Sequence, residues 1–231
     1  MIRRSLCAAL VLVIAAGILA AAEPEAKKKT TRAPGSLSKK EAADGFVRLF
    51  DGKTLEGWQG DIRGYKAENG TLVCLKEGGG NLYTAKEYGD FIFRFDFKLE
   101  PGGNNGVGLR TPREGNPAYV GMEIQILDDP HPMYKNLQPY QAHGSVYGVI
   151  PAKMGHLKPV GEWNSEEIHL KGRHIKVTLN GTAIVDADLP KPGEKTLDGQ
   201  EHSGMGRDKG YLVFMGHGAR VEFRNLRIKE L

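Results

Sequence analysis

Phe91-Ile92-Phe93-Arg94-Phe95-Asp96-Phe97-Lys98-Leu99 decides the fold class. Phe91, Phe93, Phe95, Phe97 and Leu99 fall on one side of an extended chain, and Arg94, Asp96 and Lys98 on the other. A strand with one apolar and one charged face needs a second layer to cover its apolar side. Strand patterns recur outward from it over residues 46–50, 65–68, 71–75, 107–110, 122–127, 167–170, 174–179, 182–186, 211–215, 221–223 and 225–229. Asn69-Gly70 and Asn180-Gly181 sit between such runs and mark tight hairpins. Helical periodicity is scarce, and most of the 31 glycines lie between strands. These patterns predict an all-β sandwich or jelly roll.

The first 44 residues read differently. Arg3 and Arg4 precede an apolar run over residues 6–19, and Ala20-Ala21-Ala22 offers a cleavage site, so residues 1–22 are expected to be a secretory signal peptide. The run is too short for a membrane span. Residues 23–44, rich in Lys, Ala, Glu, Ser, Thr and Pro and without aromatics, are expected to be a solvated tether. The domain is expected over residues 45–231, in an exported protein that is periplasmic or extracellular. Of 32 basic and 28 acidic side chains, the start takes two basic and the tether six basic and four acidic, which leaves 24 of each. A neutral domain gives no electrostatic footprint for nucleic acid. Signal removal would leave Cys74 as the sole cysteine, inside the apolar run Thr71-Leu72-Val73-Cys74-Leu75, where an inert buried thiol is expected.

Chemistry concentrates around Gly121-Met122-Glu123-Ile124-Gln125-Ile126-Leu127-Asp128-Asp129. Alternation sends Met122, Ile124 and Ile126 to one face and Glu123, Gln125 and Leu127 to the other. The preceding strand, Gly106-Val107-Gly108-Leu109-Arg110, puts Arg110 on the face of its two glycines, and a hollow beside glycine admits a ligand. Arg110, Glu123 and Gln125 are therefore expected over one surface. His217, between Gly216 and Gly218 after a strand, is the second candidate for proton transfer. His143, Ser145 and Tyr147 share parity and would add donors to the same face. Asp128, Asp129 and His131 offer a weak loop site for a cation, and no standard metal motif is present. Gly78-Gly79-Gly80 lacks the helix and Lys-Ser/Thr of a phosphate loop.

Several motifs then stand in a specific order: residues 45–58 (GFVRLFDGKTLEGW), Glu87-Tyr88-Gly89-Asp90-Phe91, Pro101-Gly102-Gly103-Asn104-Asn105-Gly106-Val107, residues 121–129, Gly161-Glu162-Trp163-Asn164, Leu179-Asn180-Gly181, and Phe223-Arg224-Asn225-Leu226-Arg227-Ile228. In this order the chain resembles the bacterial 3-keto-disaccharide hydrolase domain family, also described as 3-keto-glucoside 1,2-lyase and 3-keto-2-hydroxy-glucal hydratase. The resemblance covers nearly all of residues 45–231. It implies a concanavalin-like jelly roll of two antiparallel sheets, a site on the concave face, and substrates that are sugars already oxidised at C3. Phe214-Met215 stands where the family often has a polar Gln or Asn.

The expected chemistry follows from the ketone. It acidifies the C2 hydrogen, so a base can form an enolate and the C1 oxygen can leave by β-elimination, with water addition completing a net hydrolysis. Glu123 or His217 is the base and the other the acid. Arg110, together with a divalent cation if one binds, stabilises the enolate oxygen. Gln125, Tyr147, His143 and Asn105 hold the substrate. A non-catalytic carbohydrate-binding module of the same fold is the rival reading.

Overall fold

The computed structural model describes residues 36–231. The signal-peptide expectation and the first part of the tether lie outside the described residues. The remainder of the tether is structured. Lys39–Ala43 form a short helix, α1, with a reciprocal cap between Ser38 and Glu41. Glu41 is buried and pairs with Arg227 at 2.6 Å, so ordered chain begins before residue 45.

Thirteen strands follow: β1 Val47–Arg48, β2 Trp58–Gly60, β3 Tyr65–Glu68, β4 Thr71–Cys74, β5 Gly80–Tyr88, β6 Phe91–Leu99, β7 Asn104–Thr111, β8 Met122–Leu127, β9 Asn164–Lys171, β10 His174–Leu179, β11 Thr182–Asp188, β12 Gly210–Gly216 and β13 Val221–Glu230. A second short helix, α2, spans Pro117–Val120 between β7 and β8. One sheet runs β11-β10-β9-β6-β13-β4-β3 with β1 also on β13, and the other runs β2-β5-β12-β7-β8. Adjacent strands are antiparallel throughout both. The fold is the two-sheet all-β sandwich that the alternation predicts.

β6 shows why. Phe91, Phe93, Phe95, Phe97 and Leu99 are all buried. Phe95 meets Phe214 of the opposite sheet edge-on, and Phe214 lies 4.2 Å from Phe223, centroid to centroid. Each such ring removes a large apolar area from water, and the pair geometry adds about 1 kcal/mol beyond that. On the outer face Arg94 pairs with Glu167, Lys98 with Glu222 and Arg224 with Asp96. Both Asn-Gly hairpins form, with positive φ at Asn69, Gly70, Asn180 and Gly181, as a type I′ turn requires. Cys74 is fully buried, and burial raises its thiol pKa, as expected of an inert thiol.

β2 and β5 carry no clear sequence signal. β5 alternates poorly because a register irregularity between Tyr211 and Val213 interrupts its pairing with β12. The two runs expected over residues 221–223 and 225–229 are one strand, β13. It is interrupted by Asn225 at φ 53° with a register shift between Arg224 and Arg227. Among the described residues no helix is long and apolar enough to cross a membrane.

Candidate active site

β8 separates its side chains as its parity predicts. Met122, Ile124 and Ile126 enter the core between the sheets, while Glu123 and Gln125 face the other way. β8 is not a bare edge. Tyr147 N–H donates to the Glu123 carbonyl at 2.9 Å, Gln125 N–H to the Ser145 carbonyl at 3.1 Å, and Gly144 N–H to the Gln125 carbonyl at 2.7 Å. This pairing brings Tyr147 beside Glu123.

A cavity of about 260 Å³ opens on this face, lined by Asn104, Asn116, Ala118, Tyr119, Glu123, Gln125, Tyr147, Met215 and His217. The Glu123 carboxylate lies across β7 over Gly106, where a Cβ would stand 2.1 Å from Oε1. Glycine at 106 is therefore a condition for the carboxylate's position. His217 Nε2 stands 3.5 Å from Glu123 Oε1, with the His217 side chain 41% exposed and that of Glu123 5%. That spacing is longer than a good hydrogen bond. It leaves both groups able to reach atoms of a molecule inserted beside them.

Three buried oxygens at this wall, Glu123 Oε1, Gln125 Oε1 and Asn104 Oδ1, have no hydrogen-bond partner. Buried acceptors without donors are costly, at about 1–3 kcal/mol each, and they favour a ligand that brings hydroxyl donors. Tyr147 Oη accepts from Gln141 Nε2 at 3.2 Å, which leaves its own proton free to be donated elsewhere. Tyr119 stands near Tyr147, Asp198, Glu123 and Tyr140. Burial first, and then these neighbours, raise its pKa and keep its hydroxyl a donor at neutral pH.

The structure thus brings together Glu123, Gln125, Tyr147 and His217. It does not bring Arg110, Asn105 or His143 to them. Arg110 has φ 48°, a left-handed backbone that ends the strand's alternation. Its guanidinium instead donates to the carbonyls of Gly89, Gly172 and Arg207 and pairs with Asp90 at 2.7 Å. Asn105 lies on the opposite face of β7 from Gly106, fully buried, and accepts from Gly106 N–H. His143 packs 5.0 Å from Phe97 inside the sandwich, accepts Leu127 N–H at Nδ1 and approaches Glu166 at 3.1 Å through Nε2. Arg110 and His143 read as surface candidates only while strict alternation is assumed, whereas alternation along β7 itself turns Asn105 away from the face of Gly106 and Gly108.

Sequence reading missed Tyr119, Asn116 and Asn104. The available signal was Asn116-Pro117, an N-cap residue followed by a first-turn proline. That short helix packs against the 3-10 turn Ser203–Gly206, where a Cβ on Gly204 would meet the Gly121 carbonyl at 1.9 Å. His202 is buried, pairs with Asp198 at 3.0 Å and lies 4.9 Å from the Tyr119 ring. The loop acids are committed to backbone: Asp128 accepts Gly102 N–H, and Asp129 accepts His143 N–H. Among the described residues no group of three His, Cys, Asp or Glu side chains converges as for a metal ion.

Residues 45–229 match the family described as the 3-keto-alpha-glucoside-1,2-lyase-like domain. A 3-keto-disaccharide hydrolase of Bacteroides thetaiotaomicron is 28% identical, over 82% of this chain and 79% of that protein. A crystal structure from Parabacteroides distasonis, described as a candidate glycosyl hydrolase, is 28% identical with a TM-score of 0.71, covering 86% of this chain and 100% of that one. The carbohydrate-binding module CBM66 of Bacillus subtilis shares the fold at 12% identity and a TM-score of 0.50, over 74% of this chain and 94% of that one.

Proposed function

The chain belongs to the 3-keto-alpha-glucoside-1,2-lyase-like domain family, and we propose that it cleaves glycosides whose sugar carries a ketone at C3. Glu123 and His217 divide the proton transfers. One removes the C2 proton, and the electron pair of the C–H bond delocalises onto the C3 oxygen as an enolate. Collapse of the enolate regenerates the ketone, forms the C1–C2 double bond and breaks the bond from C1 to the glycosidic oxygen. That oxygen takes a proton from the other group. Water then adds to C1 of the enone, and a proton returns to C2, for a net hydrolysis. The route needs one carboxylate and one imidazole, not two carboxylates at glycosidase spacing.

The observation that carries this reading is the Glu123–His217 pair, with Gln125 Oε1 and Asn104 Oδ1 buried at the same wall without hydrogen-bond partners. Sugar hydroxyls are the donors such oxygens lack. With Arg110 directed elsewhere, Tyr147 and Tyr119 become the donors to the enolate oxygen, Tyr147 with its proton freed by the Gln141 contact. The family and the named relative support the choice of a 3-keto sugar, and the basic and apolar start of the sequence supports an exported enzyme.

The test offers purified protein a 3-keto-glucoside and the same glucoside without the ketone. Cleavage of the first and not of the second is expected, because only the ketone acidifies C2. Equal cleavage of both would overturn the mechanism, and binding without cleavage of either would make the domain a carbohydrate-binding module.

A further inference from the structure

The cavity beside Glu123 holds about 260 Å³, just below the roughly 300–1,000 Å³ usual for a site that encloses a whole small ligand. It suits one sugar ring. A disaccharide must place its second ring outside, and the surroundings narrow where. Residues 143–147 close the cavity along the edge of β8, and α2 supplies another wall through Ala118 and Tyr119. The half-exposed His217 marks the side that remains.

Across the Gly80–Gly216 pairing next to His217 lies a second and larger depression of about 590 Å³, lined by Gly60, Asp61, Ile62, Arg63, Gly64, Glu77 and the glycine run 78–80. It is joined to the first through backbone. Gly80 pairs with Gly216, the residue before His217, and a Cβ on Gly79 would come within 3.2 Å of the Gly216 Cα. Its floor is bare main chain. A Cβ on Gly64 would stand 1.9 Å from the Gly79 carbonyl oxygen, so neither loop can carry a side chain where they meet. Bare backbone lets a ring approach closely and offers it N–H and C=O groups.

Of the four side chains at its rim, Ile62 is apolar and Asp61, Arg63 and Glu77 are hydrogen-bonding groups. Asp61 Oδ2 accepts Asn81 N–H at 2.7 Å, which fixes the carboxylate at the rim. Arg63 and Glu77 are exposed, with no hydrogen bond or ion pair to other described residues. Two carboxylates that accept and one guanidinium that donates match a ring carrying several hydroxyls better than a flat apolar aglycone.

We propose that this glycine-floored groove is the leaving-group subsite, binding a hexose joined through its oxygen to C1 of the keto sugar. The inference rests on the reading of the Glu123 cavity as the keto-sugar site. It makes the enzyme selective for 3-keto-disaccharides over 3-keto-glucosides with a small leaving group.

Steady-state kinetics of the unaltered protein and of the Arg63→Ala/Glu77→Ala double variant test it, with a 3-keto-glucosyl-glucose and methyl 3-keto-glucoside as substrates. Both side chains are exposed, and matching thermal melts would show that the variant folds. For the disaccharide, kcat/KM is expected to fall about tenfold, equivalent to about 1.4 kcal/mol. For the methyl glycoside it is expected to stay within twofold. An equal loss on both substrates, or no loss on the disaccharide, overturns the subsite. Turnover of neither substrate by the unaltered protein would instead bring down the parent reading, and the subsite with it.

Discussion

Glu123→Gln is expected to lower kcat on a 3-keto-glucoside by about a thousandfold while KM changes little. General acid–base groups supply about 10²–10⁴ in rate, and Gln keeps the shape but cannot carry a proton between C2 and water. The buried Oε1 of the Glu123 carboxylate makes no hydrogen bond and stands 3.5 Å from His217 Nε2. The substitution therefore removes chemistry more than packing. His217→Asn should cost about a hundredfold by the same route. Single-turnover assays on both variants check this, and a kcat within threefold of the unaltered enzyme in either would remove that residue from proton transfer.

Arg110→Met is expected to do the opposite, lowering stability and leaving the chemistry intact. The Arg110 side chain is 4% exposed, donates to three carbonyls and pairs with Asp90. Removing it strands those carbonyls and a partly buried carboxylate. Breaking a buried charge network costs about 3–5 kcal/mol, and the partial exposure of Asp90 favours the lower end. About 3 kcal/mol in a domain of this size lowers Tm by roughly 10 °C. Urea denaturation gives the free energy, and kinetics well below the melting range give the activity. A hundredfold loss of kcat with unchanged stability would return Arg110 to the site that its sequence parity assigned.

These two residues show what the sequence made legible and where it stopped. Alternation around Phe91 to Leu99 was enough for a two-layer β fold, because a period of two with aromatic rings on one face has few other outcomes. The same rule placed Glu123 and Gln125 on the cavity face, since β8 stays regular along its length. It failed at Arg110, where one left-handed residue reverses the side chain's direction without any composition signal. It failed again at His143, whose segment crosses to the core to meet Glu166, a partner in β9. Tyr119 was invisible for a different reason. Four helical residues show no periodicity, and packing against β7, β8 and the 203–206 turn holds its ring at the cavity. The acidic and imidazole groups proposed to carry the chemistry were readable from strand parity and flanking glycines, whereas the donors around them depend on loops that only the folded chain brings together.

The most direct test of the account follows the hydrogen at C2. A 3-keto-glucoside carrying deuterium at C2 is cleaved in ordinary water, and the sugar product is examined by mass spectrometry and NMR, with the labelled product incubated alone to measure spontaneous exchange. If Glu123 and His217 act by elimination, the label is absent from C2 of the enone, and the hydrate keeps only the fraction that the base returns before it exchanges with water. Cleavage with the C2 deuterium fully retained would contradict the account.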